Sequence, residues 1–119
     1  MPELKIKRAY DPPEHSDGKR VLVDRLWPRG VSKDELKLDY WWKELAPSAE
    51  LRRWFGHDPE RWEEFSKRYR EELAARPEDL DRLRGLSADR PVTLVYAAKD
   101  EDHNNAVVLK ELVAESGSR

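Results

Sequence analysis

The chain has no cysteine, which removes disulfides, thiolate catalysis and sulfur-ligated zinc at once, because each needs a thiol. Its absence suits a reducing, cytoplasmic setting. No apolar run approaches the roughly 20 residues that cross a bilayer, and Met1-Pro2-Glu3 has none of the character of a secretory leader, so no membrane role is expected. Glycine is scarce, at five residues, and the sequence holds no glycine-rich phosphate loop, no Gly-x-Ser-x-Gly elbow and no zinc-finger spacing. The three histidines, His15, His57 and His103, lie too far apart in sequence to share a helix face. Neither a metal nor a cofactor is expected. An excess of one charge sign is missing too: Lys and Arg total 23 against 25 Asp and Glu, a net charge of -2. That balance excludes a nucleic-acid binder driven by bulk charge, though not a local basic patch.

What is present is one short, highly charged chain. Its 119 residues, 40% charged and 38% hydrophobic, suffice for a single compact core, read as one domain over residues 1–119. Leu4 to Tyr10 alternates apolar and basic residues, the period of a half-buried strand near a sheet edge. Pro12-Pro13 and Asp17-Gly18 mark a loop of roughly ten residues before the apolar strand Val21-Leu22-Val23, a length that leaves parallel or antiparallel pairing open. Ser32-x-x-Glu35 is a capping box and opens a short helical turn. Leu38 to Leu45 fits a strand or a short helix. Ser48 caps a helix through Leu51, Trp54 and Phe55 that Gly56 ends. Asp58-Pro59 starts another, on which Trp62, Phe65, Tyr69 and Leu73 form one apolar face. Pro77 begins a short helix with Leu80 and Leu83, which Gly85 is expected to end. The run Val92 to Ala98 reads as a central strand, and about Asn104 to Glu115 as a last helix before a frayed tail at Ser116 to Arg119. Strands near both ends with helices between and after them give an α/β fold, a small, mainly parallel sheet flanked by helices.

The most informative segment is Asp24-Arg25-Leu26-Trp27-Pro28-Arg29-Gly30, which follows the second strand. Strand exits are where α/β folds bind ligands. Arg25 and Arg29 form a donor fork suited to carboxylate or phosphate, or else they pair with nearby acids. Trp27 either stacks on a flat ligand or closes the core. The loop Lys99 to Asn104 precedes the last helix, whose free amides attract anions. There Lys99 and Asn104 would bind, and His103 would hydrogen-bond or carry a proton. His57-Asp58 admits a general-base reading, but Asp58 is better explained as a helix cap. Trp41, Trp42, Trp54 and Trp62 have the spacing of core packing rather than of a platform for bases.

Lys7-Arg8-Ala9-Tyr10, Arg20 to Gly30, Leu45-Ala46-Pro47-Ser48, Trp54-Phe55 with His57-Asp58, and Tyr96 to Asp100 together resemble the YeaO-like family of uncharacterised bacterial proteins, a domain-of-unknown-function group. The resemblance spans nearly the whole chain and implies a small α/β fold in cytoplasmic bacterial proteins. It also implies that the first two strands run parallel. Broader relatives in the group carry a Cys-His-Arg triplet after the last strand, where this chain has Asn104-Asn105-Ala106. A chemistry that uses that thiol is therefore closed to it. The expectation is a protein that binds a small anionic ligand, nucleotides being a candidate class, through Arg25, Trp27, Arg29, Lys99 and Asn104, with His103 as the one catalytic candidate. The alternatives are a nucleic-acid-associated module and a protein-interaction domain presenting Trp41-Trp42.

Overall fold

The computed structural model describes residues 4–117. A four-stranded, wholly parallel sheet forms its centre, in the order β1-β4-β2-β3, with β1 Leu4–Arg8, β2 Lys19–Leu22, β3 Tyr40–Trp41 and β4 Val92–Tyr96. The first two strands are parallel but not paired, because β4 inserts between them and leaves β1 at an edge. Among the described residues five α-helices accompany the sheet: α1 Lys33–Leu36, α2 Ala49–Phe55, α3 Trp62–Ala74, α4 Pro77–Asp89 and α5 Asn105–Gly117. Among the described residues no helix is long and apolar enough to cross a membrane.

Side-chain alternation divides the core in two. Val21, Val23, Val92, Leu94 and Tyr96, with Leu4 and Ile6 from β1, face the helices, where Leu51, Phe55, Phe65, Tyr69, Leu73, Leu80, Leu83 and Leu109 close the larger cluster. Leu22 and Val95 face the other way, onto Ala9 and Leu36 with Trp27, Val31, Leu38 and Trp41. Strand β4, covered on both faces, is buried at every position, as its unbroken apolar run predicts.

Local signals set most boundaries. Ser32 and Glu35 form the reciprocal capping box at α1, the Ser48 hydroxyl accepts the Leu51 N–H at 3.1 Å to start α2, and Gly56 ends that helix at φ 53°. Asp58-Pro59 opens a 3₁₀ turn over Pro59–Arg61 that leads into α3. The ambiguous Leu38 to Leu45 divides into the two-residue strand β3 and a 3₁₀ turn at Lys43–Leu45. The expected stop at Gly85 is wrong, since α4 continues to Asp89. Leu86 prolongs the stripe of Leu80 and Leu83 onto the core, and this burial outweighs the roughly 1 kcal/mol helix cost of glycine. Helix α5 extends through Gly117, and of the expected tail residues 118 and 119 lie outside the described residues.

The β1–β2 loop has to descend the sheet from the end of one parallel strand to the start of the next. A network of charged groups on the second face holds it there. Asp17, 3% exposed, accepts from the Arg20 Nη1 at 2.5 Å and from the Lys7 Nζ at 3.1 Å. Arg20 also donates to the Leu36 carbonyl at 2.9 Å, and the Thr93 hydroxyl donates to the Asp17 carbonyl at 2.7 Å. Next to it, Gly18 has φ 66°, and a Cβ there would lie 2.1 Å from the Pro91 oxygen, so only glycine fits. Burial alone would raise the Asp17 carboxyl, but the Glu14 N–H together with Lys7 and Arg20 holds it below the usual carboxylate range.

A group with a lowered native pKa contributes stability above its unfolded value and loses it as pH falls through the native one. Asp17→Ala, which strands Arg20 as a buried unpaired charge, is expected to cost about 3–5 kcal/mol and to flatten the decline of stability on the acid side. Urea unfolding of both chains from pH 7 down to pH 3 measures both effects.

Candidate functional site

Strands β2 and β4 end side by side, and Asp24 stands at their junction. Its Oδ2 accepts the Ala97 N–H at 2.8 Å and its Oδ1 accepts the Asn105 amide at 3.1 Å. The same Asn105 nitrogen donates to the Val23 carbonyl at 2.8 Å, and the Trp41 indole N–H donates to the Asp24 carbonyl at 2.8 Å. One residue thus ties the end of β2 to β4, to the start of α5 and to β3. Burial pushes the Asp24 carboxyl upward, against the pull of these donors and of the positive charge of Arg52 and His57. Behind it, the buried Tyr69 hydroxyl donates to the Leu45 carbonyl. Burial first, and then the Asp24 and Glu72 charges, keep that phenol protonated.

A cavity of about 440 Å³ opens over this junction, within the size range of small-molecule sites. Its polar lining holds three guanidiniums and an imidazole beside the Asp24 carboxylate, Tyr10, Asn104 and Asn105: Arg25 and Arg29 come from the loop after β2, Arg52 from the last turn of α2, and His57 from just beyond that helix. Trp27, Pro28, Pro47, Phe55 and Phe65 supply apolar wall. Among the described residues no carboxylate forms an ion pair with Arg25, Arg29 or Arg52. Among the described residues the side-chain hydrogen bond of Arg25 is a long 3.4 Å one to the Pro47 carbonyl, whereas Arg20, Arg61, Arg68, Arg70, Arg76 and Arg84 form ion pairs, as Arg70 does with Glu115 at 2.8 Å.

The loop that carries the arginines is anchored from both sides. The Tyr10 hydroxyl donates to the Arg29 carbonyl at 3.0 Å. The Trp27 indole donates to the Val31 carbonyl at 2.6 Å, and its ring meets Trp41 edge-on at 5.4 Å. Trp27 closes the smaller core cluster and also lines the cavity.

Arg25, Trp27, Arg29 and Asn104 all line the cavity. Lys99 and His103 are not among its lining residues. The His103 Nδ1 lies 2.9 Å from the Asp100 carboxylate and its ring stands edge-on to Trp62 at 5.1 Å. Asp100 itself is held below the usual carboxylate range by the Asp102 N–H and by His103. Asn104 is 2% exposed and spends its side chain on the cap of α5, accepting the Val107 N–H at 3.1 Å and donating to the Asp100 carbonyl at 2.9 Å. Sequence reasoning missed Tyr10, Arg52 and Asn105, and it set His57 aside. Asp58 does cap the following turn, accepting the Glu60 N–H at 3.0 Å, but its neighbour lines the cavity.

The tryptophans are mostly occupied within the fold. Trp54 is covered by the guanidiniums of Arg61 and Arg68, at 5.2 and 4.3 Å from its ring centre. Trp62 packs against Phe55 and Phe65, and Trp42 lies against Tyr40 with Arg82 above it.

Fold and site define a small parallel α/β domain with a cationic cleft at the carboxyl ends of its strands. The chain belongs to the DUF488-N3i family, described as the inactive DUF488-N3 subclade, which matches residues 3–119. It is similar to the uncharacterised protein YeaO of Escherichia coli K12, 45% identical over 108 residues that cover 91% of this chain and 94% of that protein. It is likewise similar to the uncharacterised proteins Rv3073c of Mycobacterium tuberculosis H37Rv and Mb3100c of Mycobacterium bovis, each 43% identical over 112 residues that cover 92% of both chains. These similarities bear out the resemblance carried by the motifs. No solved structure gives a significant match.

Asp24→Ala releases the Ala97 N–H and the Asn105 amide together. It is expected to lower the unfolding free energy by about 2–3 kcal/mol and to loosen the start of α5. Urea titration, with hydrogen exchange at Ala97 and the first turn of α5, reads both.

Proposed function

We propose that this protein binds a small organic anion, with a phosphate ester such as a nucleotide as the leading class, and that it does so without catalysing a reaction on it. The observation that carries this reading is the set of three guanidiniums, Arg25, Arg29 and Arg52, that line one cleft without a direct ion pair among the described residues, only Arg52 acting on the Asp24 carboxylate of the same cleft. Guanidinium forks match phosphate and carboxylate oxygens bidentately. Arginines without a direct ion pair at a strand-end cleft, in a chain with 25 acidic residues to offer, are more economically explained by a ligand than by the fold.

The volume argues for more than a bare ion. About 440 Å³ leaves room for an organic body against Phe55, Phe65, Pro28 and Pro47, while the charged end meets the arginines. The description of the subclade as inactive agrees with the presence of Asn104-Asn105-Ala106 where a thiol would otherwise stand. Both asparagines serve the fold, one as a cap and one as the partner of Asp24.

Calorimetric titration with adenosine monophosphate, inorganic phosphate and citrate, at 50 and 300 mM salt, tests the reading. Arg52→Ala and Arg25→Ala are expected to weaken binding of the preferred anion about tenfold each, the loss of one charge-assisted pair. Their own melting temperatures should stay near the parent's, because neither guanidinium holds an ion pair. Equal affinity in parent and variants, or no binding of any probe, would sink the proposal.

A further inference from the structure

His57 is one of two described non-glycine residues with a left-handed backbone, at φ 58°, the other being Lys37. It follows Gly56, also left-handed at φ 53°, so the chain passes through two such residues in succession on leaving α2. The turn is closed by the Asp58 N–H bonding to the Phe55 carbonyl at 3.0 Å. A side chain in this conformation is disfavoured relative to glycine, though histidine tolerates it better than most. The turn itself therefore gives no reason for an imidazole at position 57.

Packing supplies a tilted ring pairing with Phe55 but does not bury the imidazole. The residue is exposed, its ring centre lies 6.1 Å from that of Phe55, and among the described residues its ring nitrogens have no hydrogen-bond partner. What the left-handed turn does achieve is placement. It sets the imidazole at the cleft beside Arg52, on the wall that α2 supplies, close enough for its charge to act on Asp24. Arg25 and Arg29 form the wall that follows β2. A residue kept in an unfavourable backbone state at a cleft is the pattern seen where local stability is given up for a site.

We infer that His57 is a ligand-contacting residue, donating an imidazole N–H to an anion bound in the cleft that Arg25, Arg29 and Arg52 also line, and that its left-handed backbone is tolerated for this contact. The inference rests on the anion-binding reading above and adds a residue to it. An imidazole has at least one N–H in either protonation state, so it can donate to a phosphate oxygen without a change of charge.

The test compares the full chain with His57→Asn, His57→Gly and Arg52→Ala, using adenosine monophosphate and inorganic phosphate as probes. Asparagine and glycine both accept the left-handed backbone, so both variants should fold, and the glycine chain should melt at or above the parent temperature. Affinity for the probe that the parent binds is expected to fall about fivefold to tenfold in both His57 variants. Affinity unchanged within twofold in both, with Arg52→Ala still impaired, overturns the role of His57 and leaves the anion reading standing. A parent chain that binds neither probe removes both. A glycine variant that melts several degrees lower makes the imidazole a structural contact and likewise overturns the inference.

Discussion

Everything at the functional end of this domain depends on the Asp24 carboxylate being held between two strand ends. Parallel strands stop without a hairpin to join them, so their last backbone groups face solvent unless something pairs with them. Asp24 takes the Ala97 N–H from one side and Asn105 from the other. Its backbone carbonyl collects the Trp41 indole as well. The loop after β2 then departs from a fixed point, and the arginines it carries are aimed at the cleft. A carboxylate in this role is expensive, as the upward pressure of burial on its pKa records. The return is rigidity, since both oxygens have assigned donors and the residue has little freedom to serve as a base.

The opposite end of the sheet is held by a second buried carboxylate, and the two contribute to pH dependence with opposite signs. Asp17 is kept ionised by Arg20, Lys7 and the Glu14 N–H, so its share of stability is lost on acidification. Asp24, with its pKa raised by burial, favours the folded chain most when protonated, and that share declines as pH rises through its native value. Acid unfolding should thus begin at the β1–β2 loop, where the network of Asp17 crosses the second face of the sheet, rather than at the cleft.

Much of this was legible in the sequence, and the reasons are local. The Ser32–Glu35 capping box, the Asp-Pro start and the four-residue apolar face of α3 are short-range signals, and each marks the element it announces. The alternation in Leu4 to Arg8 and the unbroken run from Val92 to Tyr96 told an edge strand from a central one. The insertion of β4 between β1 and β2 was not legible, because strand order is set by packing across the whole chain and not by the loop that joins two neighbours. Gly85 misled for a related reason: its intrinsic preference is weak beside the burial of Leu86. At the site, Arg25, Trp27 and Arg29 were found because they adjoin a strand end. Arg52 and His57 were missed because they reach the cleft from a helix terminus distant in sequence, where an exposed arginine looks like any other on a surface helix.

The cleft's inventory of groups bears on what it does. Nucleophilic catalysis needs a hydroxyl, thiol or amine beside a base, and the residues that line this cleft include no serine, threonine, cysteine or lysine. Tyr10 is the one hydroxyl, and it is committed to the Arg29 carbonyl. General acid–base work needs a group free to exchange a proton with the ligand. Asp24 accepts one bond on each oxygen, and His103, the expected proton carrier, is turned to Asp100 and Trp62 away from the cavity lining, which leaves His57 as the imidazole at the cleft. Asn104 and Asn105, at the helix start where a reactive side chain would meet the amide dipoles, are both occupied with the backbone. Three unpaired guanidiniums, an imidazole and an apolar wall remain, and these recognise charge and shape. Such a surface is what supports the proposed reading of an anion-binding cleft built on the family's fold.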